Sequence, residues 1–133
     1  MIFSGINMIA VVVATAVGFA AGSVWYMVFG KSWALAQGKE PGSFRPSVGP
    51  FLLAVVAQFI MALMLAGVIG HLGAVTLHSA IISAILIWAG FIATTIAVND
   101  SFQGTNVMLT VIDAGHWLVV LMLMGAVIGA FGV

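Results

Sequence analysis

Two ionisable residues lie within an apolar stretch near the end of this chain. Asp113 and His116 are three positions apart in the run 106–131, which is long enough to cross a membrane. Residues with this spacing share one face of a helix. A charged side chain inside a bilayer costs about 3 kcal/mol or more, so such a residue indicates a specific role. The pair is therefore the first candidate for chemistry in this sequence.

The pair allows two interpretations. In the functional one, Asp113 accepts a proton or binds a cation with His116 as its partner. Burial and mutual attraction act in opposite directions on the pKa values of such a pair, so titration near neutral pH is permitted. In the structural one, Asp113 accepts hydrogen bonds from aromatic side chains and fixes the order of the helices. The candidate donors are Trp25, Tyr26 and Trp88.

Composition narrows the class of protein. Of 133 residues, 64% are hydrophobic and 5% are charged, whereas a soluble domain has about 25% charged residues. We therefore expect an integral membrane protein whose first partner is the lipid bilayer. A net charge of zero argues against a nucleic-acid partner. The absence of cysteine excludes disulfides, iron–sulfur clusters and cysteine zinc sites.

The sequence lacks the common catalytic motifs of enzymes. It contains no nucleophile triad, no phosphate-binding glycine loop after a strand and no HExxH motif. Asp113 and His116 lack two further ligands for a metal, and no acidic residue lies near His71 and His78. We expect neither an enzyme nor a metal site, and the cofactor is unknown. A pigment, haem or quinone site is a weak alternative; His116 is its first candidate ligand, and His71 and His78 are the next candidates.

Four apolar stretches position these residues. The predicted spans cover about 7–28, 50–70, 79–98 and 106–131 within a single domain, 1–133. The connections after the second and third spans are short, so neighbouring helices run antiparallel. The predicted fold is an all-α integral membrane protein with four transmembrane helices in an up-down antiparallel bundle.

Depth suggests that polar groups of three spans lie together. Because a helix rises about 1.5 Å per residue, Asp113 and Gln58 lie roughly 10 to 12 Å inside the same face of the membrane, and His116 somewhat deeper. Trp25 and Tyr26 end the first span on that side. We therefore predict a polar intramembrane cluster of these five residues. Rows of small residues, such as Ala14, Gly18 and Gly22, let helices approach closely.

The basic residues predict the orientation in the membrane. Every Lys and Arg lies in the connection 30–49, so this loop and the loop 99–106 are predicted to be cytoplasmic, with both termini outside. Asp100 can pair there with Lys31 or with another basic residue, although a surface pair contributes under about 1 kcal/mol. Alternatively, the loop residues Asn99, Asp100 and Asn106 cap helix ends.

Two blocks of the sequence resemble the domain of unknown function 1761 family. Residues 22–33, GSVWYMVFGKSW, resemble its WY…FGK.W signature. Residues 99–106, NDSFQGTN, with IDAGH at 112–116, resemble its late N…F.G….IDAG block. The family often has an aromatic residue, commonly Tyr, at the position of His116. The family consists of small bacterial and fungal membrane proteins. The resemblance implies a four-span membrane domain and no activity, and we expect this chain in a bacterial inner membrane.

Two functions follow from these observations. The first is a structural or accessory subunit that self-associates as a homo-oligomer or docks onto a larger membrane complex, because small residues form rows on several spans. The second is a small proton- or cation-coupled transporter that acts as an oligomer through Asp113 and His116. Four spans enclose little lumen, so such a transporter would need a second copy.

Overall fold

A computed structural model describes residues 3–45, 47–73 and 75–132. Four helices account for most of this part of the chain: α1 Met8–Ala36, α2 Val48–Leu72, α3 Leu77–Gln103 and α4 Val107–Phe131. Each is long and apolar enough to cross a membrane, and the four pack against each other. The predicted all-α membrane bundle is confirmed.

The helices extend beyond the predicted spans at the side of the two polar connections. Helix α1 continues to Ala36 and α3 to Gln103, so residues 99–103 are helical rather than part of a loop. The polar side chains that end the apolar stretches do not break a helix. Glycines with positive φ end both, Gly38 at 72° and Gly104 at 69°, a conformation that favours glycine. We call this end of the bundle the connection side.

Helix α4 is the centre of the bundle. It packs along α1 on one side and along α3 on the other, whereas α2 packs mainly on α1 and touches α3 and α4 only lightly. The buried core comes from all four helices: Val11, Ala14, Ala62, Leu65, Ala66, Ile69, Ala80, Ala84, Val120, Leu121, Met124 and Ile128. The first three helices therefore pack around the last one, α4.

Glycines allow α4 to touch its neighbours. A Cβ atom added at Gly125 would lie 2.8 Å from the carbonyl oxygen of Ala80, and one added at Gly129 would lie 2.7 Å from that of Thr76. Both distances are shorter than a carbon–oxygen contact permits, so the α3 and α4 backbones meet directly. Such close approach is the usual means of packing helices in lipid.

Large apolar side chains cover the outside of the bundle. Val12, Leu53 and Phe91 are 57%, 69% and 73% exposed. On a soluble protein such a continuous apolar surface would drive association. On four helices of membrane-spanning length it is the surface that faces lipid.

Candidate functional site

Two neighbouring aromatic residues of α1 bind α4 at the connection side. The hydroxyl of Tyr26 donates a hydrogen bond of 2.6 Å to Oδ1 of Asp113. The indole Nε1 of Trp25 donates to the backbone carbonyl of Ile112 at 3.1 Å. Adjacent donors on α1 thus bind adjacent residues on α4. The two bonds fix the axial position and the rotation of one helix relative to the other.

A third aromatic donor comes from the opposite side. The Nε1 of Trp88, on α3, donates to the carbonyl oxygen of Ala114 at 2.8 Å. Trp88 begins a π-helical segment, Trp88–Ala93, between two α-helical parts of α3. Such a wider turn shifts the helix faces that follow it, and it often marks a functional site. We name the three bonds onto residues 112–114 the aromatic clamp.

The residues after the clamp make room for it. A Cβ atom at Gly115 would lie 2.9 Å from Cζ2 of Trp25, so a side chain there would displace the indole. His116 is 6% exposed, and its ring centroid lies 4.9 Å from that of Tyr26. The ring fits because Gly22 has no side chain: a Cβ there would lie 2.6 Å from Nε2 of His116. The IDAGH segment is therefore shaped by its contacts with α1.

Gln58 enters the same interface one turn deeper. It is 3% exposed, and its Oε1 lies 2.9 Å from where a Cβ of Gly18 would be. Gly18 and Gly22, one turn apart on α1, therefore accommodate polar side chains from two different helices. Within the described residues, Oε1 of Gln58 and Nδ1 of His116 are buried without a hydrogen-bond partner. An unsatisfied buried group costs about 1 to 3 kcal/mol, so each calls for an explanation.

The polar residues between α3 and α4 differ in their hydrogen bonds. Asn106 is the N-cap of α4 and accepts a hydrogen bond from the backbone N–H of Met108 at 2.9 Å. Asp100 accepts one from the hydroxyl of Thr110 at 2.8 Å, and this bond joins the end of α3 to the start of α4. Asn99 is exposed on α3 and caps no helix.

No ion pair joins Asp100 to Lys31 in the described part of the chain. Lys31 is exposed on α1, whereas the carboxylate of Asp100 is turned toward α4. The prediction of capping thus holds for Asn106. For Asp100, the carboxylate serves a side-chain hydrogen bond between helices instead.

The structure brings together most of the predicted cluster. Trp25, Tyr26, Asp113 and His116 form one contact group, and Gln58 lies beside it at Gly18. Among the described residues no three His, Asp or Glu side chains are close enough to hold a metal ion.

Sequence reasoning missed two aromatic residues of the site. Trp33 lies two turns after Tyr26 on the same face of α1, and the ring centroids are 5.6 Å apart. Phe44, from the connection between α1 and α2, lies 5.3 Å from Trp33. The seven-residue spacing on α1 is a signal for the first of these contacts. The place of a loop residue has no such periodic signal.

Comparison with known proteins gives a family and nothing more specific. The family described as "Protein of unknown function (DUF1761)" matches residues 9–129, a range that includes the clamp and all of its partners. No curated protein and no solved structure matched the chain.

Proposed function

The chain belongs to the DUF1761 family, and we propose that it is a structural or accessory membrane protein that assembles with a second copy of itself through α3. That it is an integral membrane protein follows from its four apolar helices. The role and the assembly are the proposal.

One observation carries the proposal: α3 is far less covered than the other helices. Only 11% of its most apolar stretch is buried, against 28% to 39% in α1, α2 and α4. Its exposed surface includes large apolar side chains such as Leu86 and Phe91, and beside them a row of small and hydroxyl residues. The row consists of Gly90, Thr94, Ala97 and Ser101, all exposed.

This row has the pattern of a contact between membrane helices. In α1 and α4, rows of small residues are buried against a neighbouring helix, but a Cβ atom at Gly90 would meet nothing within 4 Å. The Thr94 hydroxyl bonds to the carbonyl of Gly90 at 2.9 Å, so it can face an apolar partner without cost. A second copy of the same row, which lets two backbones approach, suits this surface.

The clamp supports a structural role for the intramembrane polar groups. Both indoles and the phenol donate to α4, so these donors serve contacts between helices. The Asp113 carboxylate is the acceptor in the bond from Tyr26. These groups position helices whether or not any substrate is present.

Single-cysteine crosslinking in native membranes tests the assembly. The chain has no cysteine of its own, so Thr94→Cys and Ala97→Cys each add one reporter. A disulfide needs Cβ atoms about 4 Å apart, so we expect oxidation to give a covalent dimer at one or both positions. Leu53→Cys, on the lipid face of α2, is the matched control and should remain monomeric. Monomers at both α3 positions, or equal crosslinking at Leu53, would contradict the proposal.

A second candidate, a proton- or cation-coupled transporter, is favoured by a different observation. Asp113 is only half-buried, and the unpartnered atoms of Gln58 and His116 lie within the same bundle. A partly satisfied polar path is typical of proton and ion routes. Flux into proteoliposomes with Asp113→Asn, compared with Asp100→Asn, tests this. Transport that depends on Asp113 alone supports it, and flux that is the same in both variants and the unmodified protein contradicts it.

A further inference from the structure

The carboxylate of Asp113 has no cationic partner. Its hydrogen bond comes from a neutral phenol, Tyr26, and the charged side chain that acts on it is another carboxylate, Asp100. The basic residues of the chain are exposed, and none forms an ion pair with Asp113 in the part of the chain that the structure describes. A membrane carboxylate normally pairs with a positive group or lines a polar cavity.

Three aromatic rings, of Tyr26, Trp33 and Phe44, contact one another in series from this carboxylate toward the connection side. The planes of Tyr26 and Trp33 meet at 67°, and those of Trp33 and Phe44 at 89°. Tyr26 therefore touches both the Asp113 carboxylate, through its hydroxyl, and the Trp33 ring. In both contacts the edge of one ring meets the face of the next, and we call the angle between these three rings the corner. Ring faces attract cations. Phe44 is 57% exposed, and Tyr26 and Trp33 are half-buried, so the corner can be reached from outside the bundle.

We propose that Tyr26, Trp33 and Phe44, together with the carboxylate of Asp113, form a binding site for an ammonium group that carries apolar substituents. Aromatic walls with an anionic group are the chemistry that recognises quaternary ammonium ions. A hydrated metal ion does not suit the site, because rings supply no oxygen ligands and no third ligand is grouped there among the described residues. An anion would be repelled by the Asp113 carboxylate.

The depth of the site permits two sources of this ammonium group. Asp113 lies six residues after the start of α4, which places it about 9 Å below that helix end. Trp33 lies in the last turn of α1. The corner therefore spans the boundary between headgroups and hydrocarbon. A zwitterionic lipid headgroup can enter it from the side, and a soluble organic cation can enter from the water.

The ammonium site shares a carboxylate with the transport candidate, but binding there needs no movement across the membrane. Equilibrium binding tests the site, whereas flux tests transport, so either can fail alone. It is also independent of the assembly through α3, because none of its four residues lies on that helix.

Fluorine NMR on the protein in phosphatidylglycerol nanodiscs tests the site directly. The chain has four tryptophans, so 5-fluorotryptophan gives four signals, and Trp33→Phe assigns the one from the corner. We expect choline to shift the Trp33 signal saturably. Its neutral isostere, 3,3-dimethyl-1-butanol, has the same shape without the charge and should produce no saturable shift. Equal shifts with both probes would overturn the proposal.

Two variants separate the site from the fold. Asp113→Asn should weaken choline binding about tenfold or more, because the charge is lost while an acceptor for Tyr26 remains. Asp100→Asn is the matched control and should change it about twofold or less, since it removes a carboxylate from the same end of the bundle but not from the corner. Unchanged signals from the other three tryptophans, which include Trp25 and Trp88, report an intact clamp. Binding that survives Asp113→Asn with those signals unchanged would refute the site.

A loop variant covers the case in which Asp113→Asn disturbs the fold. Phe44→Leu changes an exposed residue outside the helices, so the bundle should persist. The loss of one ring should weaken choline binding about fivefold, and unchanged binding would contradict the proposal. Repeating the titration in phosphatidylcholine nanodiscs then distinguishes the sources. Competition by this lipid identifies a headgroup as the occupant, and its absence identifies a soluble cation.

Discussion

The two halves of α4 are joined to the bundle by different means. In the half at the connection side, aromatic side chains of α1 and α3 donate hydrogen bonds to residues 112–114. In the other half, Gly125 and Gly129 bring the backbone of α4 against that of α3, and no polar side chain takes part. Each means has a different physical consequence.

The glycine contacts hold α3 and α4 together by close packing, and the clamp fixes the axial position of α4 relative to its neighbours. Backbone contacts cannot yield by rotating a side chain, so a methyl group inserted there must move a whole helix. Hydrogen bonds between membrane helices contribute only about 0.6 kcal/mol on average, but each requires one particular donor and acceptor. Close packing alone would tolerate a helix that slides by one turn, whereas the clamp would not.

The largest expected effect is at the glycine contacts. Gly125→Ala places a Cβ 2.8 Å from a backbone oxygen of Ala80 and 3.2 Å from Cβ of Ala84. We expect the free energy of unfolding to fall by about 2 kcal/mol, as overpacking usually costs 1 to 3. Steric trapping in bicelles measures it. Gly30→Ala, inside α1 and away from the α3 row, is the control: nothing lies within 4 Å of its added Cβ, so it should be neutral or stabilising by up to about 1 kcal/mol.

A smaller effect is expected where the glycine meets a side chain. Gly22→Ala brings a Cβ to 2.6 Å from Nε2 of His116, but an imidazole at the end of two rotatable bonds can shift. We expect a loss of about 1 kcal/mol. In the His116→Ala background the same substitution should cost nothing, because the clash is gone. A cost that is unchanged in that background would show that His116 does not occupy the Gly22 position.

The smallest effect is expected at the outer bond of the clamp. Trp88→Phe removes the N–H that binds the carbonyl of Ala114, which should cost about 0.6 kcal/mol beyond the loss of ring area. Trp117→Phe is the size-matched control, because Trp117 is half-buried and donates no hydrogen bond within the described residues. Equal losses in thermal stability for the two variants would mean that the Trp88 bond contributes nothing.

Much of this architecture could be predicted from the sequence. Hydropathy gave the number of spans, and residue depth grouped Asp113, His116 and Gln58, because rise per residue is fixed in a helix. The rotation of each helix is not fixed by composition. The sequence therefore left open which aromatic residue reaches the carboxylate, and the structure assigns that role to Tyr26. The nearby Trp25 binds a backbone carbonyl instead.

Other features depend on contacts between distant parts of the chain. The apolar pattern ends near Val98, yet α3 continues to Gln103, because a polar residue outside the bilayer does not end a helix. Phe44 reaches Trp33 from a loop, and no periodicity places a loop side chain. The row of small residues on α3 resembles the rows on α1 and α4 in sequence. Only packing shows that the α3 row faces outward, whereas the other two rows are buried.

The most direct test of this account is a double-mutant cycle on Tyr26 and Asp113. The central claim is that their hydrogen bond joins α1 to α4 and fixes their register. Tyr26→Phe, Asp113→Ala and the double variant would be compared with the unmodified protein by steric trapping in bicelles. We predict a coupling energy of about 0.6 kcal/mol or more. A coupling energy of zero would contradict the claim, because the two substitutions would then act independently.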